Sequence, residues 1–269
     1  NSRITVIISG VIGNFFGMMP DSMKESRLYG VELDSITGRI AKQLYPQADV
    51  QIKGFEKTDY PNDFFDVAIG NVPFGQYKVA DKQYDKNNFL IHDYFFAKTL
   101  DKVRPGGVVA FITSKGTMDK ASPEVRRYLA QRADLLGAVR LPNTAFKANA
   151  GTEVTSDILF FQKRDRMVER EPDWVHLGED ADGIAMNAYF AQQIVGKMEM
   201  VSGPYGMEST CRADDSRPFA EQLAKALENI TGQIDTIDLD EELADDMSRQ
   251  SIPADPSVKN FSYTVVDNE

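Results

Sequence analysis

Residues 65–74, Phe-Asp-Val-Ala-Ile-Gly-Asn-Val-Pro-Phe, decide the fold class of this chain. Their first part, residues 65–70, is a short and mostly apolar run of the kind that forms a buried strand. It leads directly into the tetrapeptide Asn71-Val72-Pro73-Phe74. A strand with so little polar surface is covered on both faces, which is typical of a parallel sheet between two layers of helices. We therefore expect the tetrapeptide at the carboxyl end of a strand in an α/β sheet.

Strands and helices alternate on either side of this stretch. Further strands are predicted at residues 4–8, 27–33, 49–53 and 108–113, and helices at residues 36–44, 88–102 and 123–133. Residues 135–141 and 158–162 form two more predicted strands with no helical pattern between them, so we expect an antiparallel hairpin at the edge. The predicted fold is a doubly wound, mostly parallel α/β sheet with this edge hairpin.

The last third of the chain differs from the rest in charge. The whole chain has 30 Lys and Arg against 41 Asp and Glu, a net charge of −11, but residues 171–269 alone carry 6 basic and 21 acidic side chains. Residues 98–170 carry 14 basic and 8 acidic side chains, an excess that could contact phosphate. We predict a first domain over residues 1–170 and an acidic α+β extension over residues 171–269, both belonging to a longer protein.

Composition excludes several classes of protein. The one cysteine, Cys211, allows no disulfide framework and no cysteine-based zinc site, and two histidines leave little for any metal. No apolar run reaches the roughly 18 residues that a membrane span needs. No signal-peptide pattern opens the sequence. The composition therefore predicts a cytoplasmic protein with no metal site and no membrane span.

Candidate ligand-binding residues follow the first two predicted strands. Gly10 and Gly13 lie in a turn where the backbone can approach a ligand closely, and Glu32 ends the second strand 19 residues after Gly13. An acidic side chain at that place can accept both hydroxyls of a ribose. Any tight turn between a strand and a helix could contain the same glycines, but together with Glu32 they indicate a nucleoside cofactor.

The tetrapeptide is the sharper signal for chemistry. Asn71 offers a side-chain carbonyl, the following backbone offers another carbonyl, and Phe74 offers a flat apolar face. Two acceptors and a stacking surface suit a planar amine. The alternative is an ordinary β-turn with Asn and Pro, but its place directly after a strand favours a binding site.

These features in this order resemble a known family. The glycine turn, Glu32 and Asn71-Val72-Pro73-Phe74 resemble the class I S-adenosylmethionine-dependent DNA adenine-N6 methyltransferases. The runs at residues 141–146 and 157–163 look like the modification subunits of type I restriction systems. Residues 13–263 are similar to the methyltransferase region of very large proteins of conjugative elements and phages, which commonly continue into a helicase-like region.

The resemblance implies a Rossmann-like fold and S-adenosylmethionine as cofactor. In that family pattern Gly10 and Gly13 would hold the methionine part of the cofactor and Glu32 its ribose. Glu56, in Gly54-Phe55-Glu56, would bind the adenine amino group. These assignments place one cofactor across the ends of the first three predicted strands.

The resemblance also implies how the target would be held. Asn71 and the carbonyl of Val72 or Pro73 would accept the N6 hydrogens of a flipped adenine, with Phe74 stacked on the ring. The amine would then attack the methyl group without any metal or covalent nucleophile. The implied partners are DNA and further, helicase-like domains of the same polypeptide.

Three basic residues are candidates for contacts to the DNA backbone. Lys115 follows the fifth strand, near the expected pocket, and Arg126 and Arg127 lie on one predicted helix. A solvated helix face is the alternative for the two arginines.

Two other functions stay open on the sequence alone. One is a methyltransferase-like module without catalysis, which scaffolds or guides a larger helicase-type protein. The other is a methyltransferase acting on protein glutamine, because the same tetrapeptide can hold a side-chain amide. The type I-like runs favour DNA over protein as the substrate.

Overall fold

The computed structural model describes residues 5–9, 12–191, 194–203 and 206–234. One seven-stranded sheet organises this part of the chain, in the order β3-β2-β1-β4-β5-β7-β6. Its strands are β1 (Thr5–Ser9), β2 (Arg27–Glu32), β3 (Asp49–Ile52), β4 (Phe65–Asn71), β5 (Val103–Ser114), β6 (Ala133–Leu141) and β7 (Ser156–Lys163). Strands β1 to β5 pair in parallel, and β7 is antiparallel to both β5 and β6. The predicted doubly wound sheet with an antiparallel edge hairpin is confirmed.

Helices connect the strands. They are α1 (Ile12–Gly17), α2 (Ser35–Leu44), α3 (Ile91–Lys102), α4 (Gly116–Asp119), α5 (Glu124–Arg132), α6 (Lys147–Ala150) and α7 (Phe219–Leu227). Helix α3 begins later than the predicted residue 88, because residues 85–87 form a separate 3₁₀ turn. Asn88 closes that turn in the left-handed conformation, with φ of 57°, which an α-helix cannot continue. No helix in the described ranges is long and apolar enough to cross a bilayer.

The core lies between the sheet and α3. Phe96 of α3 is fully buried, and its ring centroid lies 5.1 Å from that of Phe111 on β5 and 5.7 Å from that of Phe161 on β7. Because the strands are apolar on both faces, each face needs a helical cover. Helix α3 therefore has almost no free surface, and its first turn is fixed beside the carboxyl end of β4.

The chain after residue 170 packs on the antiparallel side of the sheet. It contains β8 (Leu177–Glu179), β9 (Ala185–Asn187), β10 (Lys197–Gly203), β11 (Gly206–Arg212) and α7. Trp174 lies 5.6 Å from Phe161, measured between ring centroids, and Met198 and Cys211 belong to the same core. The described part of the extension thus shares the core of the sheet. The division into residues 1–170 and 171–269 stays a prediction, because residues 235–269 lie outside the described ranges.

A buried ion-pair network joins the edge strands to the extension. Arg140 of β6 is fully buried and donates to both oxygens of Asp157 on β7, at 2.8 and 2.9 Å. It also donates to both oxygens of Asp119 on α4, at 2.7 and 2.9 Å. Asp119 accepts the backbone N–H of Asn187 on β9 at 2.9 Å, and the ring of Phe190 lies 4.2 Å from the guanidinium. One arginine therefore fixes four segments of the chain relative to one another.

Candidate active site

The tetrapeptide lies at the switch point of the sheet. Strand order reverses between β1 and β4, and in such sheets ligands bind at the carboxyl ends of the strands at this point. Asn71 is the last residue of β4 and pairs with Ile112 on β5. The next residue, Val72, donates its N–H to the Ile112 carbonyl at 3.1 Å and is buried in the core. The backbone on both sides of the Asn71 carbonyl is thus held by β5.

A cleft of about 560 Å³ opens in front of this strand end. It is lined by Glu32 at the end of β2, Glu56 after β3, Asn71 at the end of β4 and Pro73 after it. The structure therefore brings together four of the residues singled out in the sequence. Its remaining wall includes apolar side chains that the sequence patterns did not point to, namely Phe55, Tyr77, Val79, Ile91 and Phe95.

Three further residues were predicted for this site, namely Phe74, Gly13 and Gly10. Phe74 is partly buried and packs against the main core, with Val72 among its buried members. Gly13 is in the first turn of α1, whereas Gly10 lies outside the described residues. The prediction that both glycines hold a cofactor stays a prediction.

Glu32 is positioned by the turn between β2 and α2. Its Oε1 atom accepts the backbone N–H of Asp34 at 3.0 Å, and Asp34 caps α2 by accepting the N–H of Thr37 at 2.7 Å. The hydrogen bonds from Thr37 hold the pKa of Asp34 below its usual value. A capped helix start therefore fixes the carboxylate of Glu32 at the rim of the cleft.

Glu56 is positioned by a 3₁₀ turn, Phe55–Lys57, that follows β3. The carboxylate folds back over Gly54, where any Cβ atom would collide with it. The buried amine of Lys98 on α3 donates to the Phe55 carbonyl at 2.8 Å, and the rings of Phe55 and Phe95 lie 4.9 Å apart. Glycine at position 54 and the anchor to α3 together set the place of the Glu56 carboxylate.

Sequence reasoning missed the contribution of α3 to this cleft. Ile91 and Phe95 line it from the first turns of the helix. Their spacing of four residues places them on one helix face, and this was the available signal. The helical pattern predicted a buried element but did not say that the element also forms a wall of the site.

All three residues predicted to contact DNA donate hydrogen bonds to other parts of the protein. Arg126 is 1% exposed and donates to the carbonyls of Val175 and Lys120, at 2.7 and 2.9 Å. This corrects its predicted phosphate contact, because a guanidinium used inside the protein cannot reach a ligand at the surface. The predicted contacts of Lys115 and Arg127 remain predictions.

Lys115 and Arg127 both have internal partners. Lys115 is half-buried and its amine donates to the backbone carbonyl and, at 2.9 Å, to the hydroxyl of Ser209 on β11. Burial lowers the pKa of Lys115. Arg127 is about half exposed and pairs with Glu171 at 2.8 Å. A phosphate would have to compete with these partners.

Residues 35–146 match the model of the family described as Eco57I restriction-modification methylase. This stretch of the chain is similar to restriction-modification methylases. This confirms the resemblance drawn from the sequence. The matched residues include the end of β4, Glu56 and helix α3, which together form most of the cleft.

Two curated relatives each align with about half of this chain. Defense against restriction protein B of Escherichia phage P1 is 36% identical over 148 residues, which cover 52% of this chain and 6% of the phage protein. The rRNA N(6)-adenosine-methyltransferase metl-5 of Caenorhabditis elegans is 28% identical over 147 residues, which cover 51% of this chain and 64% of that protein. The chain thus spans less than two thirds of the length of either relative.

Solved structures share the fold of this chain. A Listeria monocytogenes protein assigned to the class I S-adenosylmethionine-dependent methyltransferases superposes with a TM-score of 0.51 at 17% identity, covering 64% of this chain and 56% of that one. A modification subunit assigned to a type I restriction enzyme of Vibrio vulnificus gives 0.51 at 14% identity, covering 71% and 55%. These likenesses confirm the Rossmann-like methyltransferase fold.

Proposed function

We propose that this chain contains a methylase domain, which transfers a methyl group from S-adenosylmethionine to the N6 atom of adenine in DNA. The observation that carries the proposal is the convergence of Glu32, Glu56 and Asn71 on one cleft at the switch point of the sheet. The relatives support different parts of it: the phage protein is named for defense against restriction, and the nematode protein is named as an N(6)-adenosine methyltransferase that acts on rRNA. We also propose that the same polypeptide contains further, helicase-like domains.

The cleft fits a nucleoside ligand. Two carboxylates, Glu32 and Glu56, enter it from neighbouring parallel strands, and Phe55, Ile91 and Phe95 supply apolar walls. Carboxylates accept hydrogen bonds from ribose hydroxyls and from an adenine amino group, and flat apolar walls suit the purine. We assign Glu32 to the ribose and Glu56 to the adenine amine. When bound, S-adenosylmethionine supplies an electrophilic methyl group.

The residues of β4 would hold the acceptor amine. The Asn71 side-chain carbonyl and the backbone carbonyl of Val72 or Pro73 would accept the two N6 hydrogens and leave the nitrogen lone pair free to attack. The N6–methyl bond would form as the methyl–sulfur bond of the cofactor breaks, and N6 would then lose one proton to water. Phe74 keeps part of its ring accessible for stacking on the extruded base. These groups act by position and by hydrogen bonding, with no covalent intermediate on the protein.

Methyl transfer tests the proposal directly. The full chain is incubated with tritiated S-adenosylmethionine and DNA of varied sequence, and the DNA is digested to nucleosides. We expect label in N6-methyladenine. Label in another nucleoside, in the protein alone, or in no product would reject the proposed reaction.

Glu32→Gln should weaken the binding of S-adenosylmethionine roughly 10- to 100-fold. Glutamine keeps an oxygen for the Asp34 N–H but loses the negative charge, and a hydrogen bond to a charged group is worth about 1.5–3 kcal/mol. Calorimetric titration measures the change. Glu228→Gln, an exposed residue just after α7, is the control. Equal affinity in both variants would remove Glu32 from the cofactor site.

Gly54→Ala should weaken cofactor binding by about ten-fold without changing the fold. The new methyl group occupies the place of the Glu56 carboxylate, which must turn away and lose its contact with the ligand. Gly178→Ala is the control, because a Cβ there meets only ordinary contacts at 3.5 and 3.6 Å. Titration of both variants with S-adenosylhomocysteine gives the comparison. Unchanged affinity in Gly54→Ala would show that Glu56 does not bind the adenine.

A further inference from the structure

The loop of residues 75–90, between the tetrapeptide and α3, has an uneven distribution of charge. It contains three lysines, Lys78, Lys82 and Lys86, and two aspartates, Asp81 and Asp85. All three lysines are exposed. The spacing of four residues between them repeats along the loop.

The first aspartate points inward. Asp81 has a side chain only 14% exposed, accepts the Tyr94 hydroxyl at 2.8 Å and forms an ion pair with Lys98 at 3.1 Å. Burial alone would raise the pKa of Asp81, but the bonds from Tyr94 and Lys98 leave it below its usual value. This carboxylate therefore stays ionised and is neutralised inside the protein. Asp85 accepts the backbone N–H of Asp81 at 2.8 Å.

The loop is anchored along α3. Tyr84 is 4% exposed and donates its hydroxyl to Asp101 of α3 at 2.6 Å, and the rings of Tyr84 and Tyr94 lie 5.5 Å apart. At its start, the carbonyl of Tyr77 accepts the N–H of Ile91 at 2.9 Å. The backbone that carries the lysines is thus held at several points, so they project from a fixed surface.

Two of the three lysines have no side-chain partner within the described ranges. Lys78 donates to the side-chain oxygen of Asn88, whereas Lys82 and Lys86 make no ion pair within the described ranges. Lys86 faces a second cleft of about 520 Å³, which Arg127 and Arg132 also line, together with Asp101 and Glu124. Asp101 is already engaged by Tyr84.

This basic surface is continuous with the candidate active site. Val79 lines both the active-site cleft and a groove of about 430 Å³ beside it, and Tyr84 lines both that groove and the second cleft. A strand that leaves the active site can therefore follow the loop without leaving the surface. Exposed lysines along a fixed path are a feature by which proteins bind a nucleic-acid backbone.

We propose that the loop of residues 75–90 holds the sugar-phosphate backbone of DNA leaving the active site, with Lys82 and Lys86 as its phosphate contacts. The inference rests on the proposed function, since it takes DNA as the substrate. The role of phosphate contact, which the sequence suggested for the buried Arg126, is thereby assigned to two lysines that are exposed and unpaired.

Salt-dependent binding tests this surface. The anisotropy of a fluorescein-labelled DNA duplex is measured with the full chain and with Lys82→Glu/Lys86→Glu over a range of salt concentrations. For Lys82→Glu/Lys86→Glu we expect DNA binding to be about ten-fold weaker at low salt. The slope of the logarithm of the binding constant against the logarithm of the salt concentration should fall in magnitude by about two, one unit for each lost phosphate contact. Lys42→Glu/Lys225→Glu is the control, because these lysines are also exposed and the change in net charge is the same.

The outcomes separate the surface from the reaction. Equal DNA affinity and equal salt slope in the two double variants would overturn the inference, as would a chain that binds no DNA. Preferential binding of an RNA of the same sequence would overturn DNA as the partner. Lysine-dependent DNA binding without any methyl transfer would keep the surface and reject the proposed function. If the Lys82→Glu/Lys86→Glu variant transferred methyl groups to DNA as fast as the original chain, the proposed function would stand and the surface would be rejected. Binding of S-adenosylhomocysteine should be unchanged in both variants.

Discussion

Asn71→Ala should lower the rate of methyl transfer by about 10²- to 10³-fold and leave cofactor affinity nearly unchanged. Removal of one aligned hydrogen-bonding group from a transition-state site typically has an effect of this size. The backbone of β4 is held by its pairing with Ile112 at Asn71 and by the Val72 N–H bond to the same residue. Truncation of the side chain should therefore remove a carbonyl from the cleft and disturb little else.

Three variants make the interpretation specific. Asn71→Asp keeps an acceptor oxygen in the same place, so it should retain more activity than Asn71→Ala. Asn229→Ala, an exposed position after α7, should behave like the original chain. Single-turnover rates at saturating cofactor measure the chemical step, and calorimetry measures cofactor binding. If Asn71→Ala kept the original rate, the tetrapeptide would not hold the acceptor amine, and the proposed reaction would lose its main support.

The cleft could be anticipated because its residues follow parallel strands. Glu32 and Asn71 end β2 and β4, Glu56 follows β3, and the carboxyl ends of parallel strands meet at one edge of the sheet. Once the strands were recognised from their apolar runs, the convergence of these residues followed from topology. No side-chain contact had to be known in advance.

The places of the basic residues could not be anticipated in the same way. Arg126 donates to a carbonyl 49 positions away in the chain, and Lys115 donates to a serine 94 positions away. Both partners lie in the extension, whose weak patterning gave no sign of where it packs. A long cationic side chain can bury its stem and use its donors inside the protein, so charge in the sequence does not establish charge at the surface.

Helix α2 shows a related limit. Its apolar residues at helical spacing predicted the helix, but Ile36, Ile40 and Leu44 are all more than half exposed. The face that packs on the sheet contains Gly38 and Ala41 instead. A Cβ on Gly38 would lie 2.8 Å from Ile52 of β3, so only a small residue permits this approach. The helix was predicted correctly, but close packing rather than hydrophobicity decided which face is buried.

Arg140→Met should lower the free energy of unfolding by about 3–5 kcal/mol. The change leaves Asp157 fully buried without its cation and Asp119 without two of its hydrogen bonds. Breaking a buried ion pair from one side costs this much because the remaining charge stays in a medium of low polarity. Urea unfolding followed by circular dichroism measures the loss. Arg127→Ala, which breaks the exposed pair with Glu171, should cost at most about 1 kcal/mol and serves as control.

The double variant Arg140→Met/Asp157→Leu decides whether the loss comes from the uncompensated charge. With both partners replaced by apolar side chains of similar size, no buried carboxylate remains on β7, and much of the lost stability should return. Asp119 is 11% exposed on its side chain and still accepts the Asn187 N–H, so it can be solvated at the surface of α4. If the double variant were as unstable as Arg140→Met alone, the network would act mainly through the packing of the arginine against Phe190 and not through charge. Recovery would instead show that Arg140 is needed because the carboxylate of Asp157 is buried beside it.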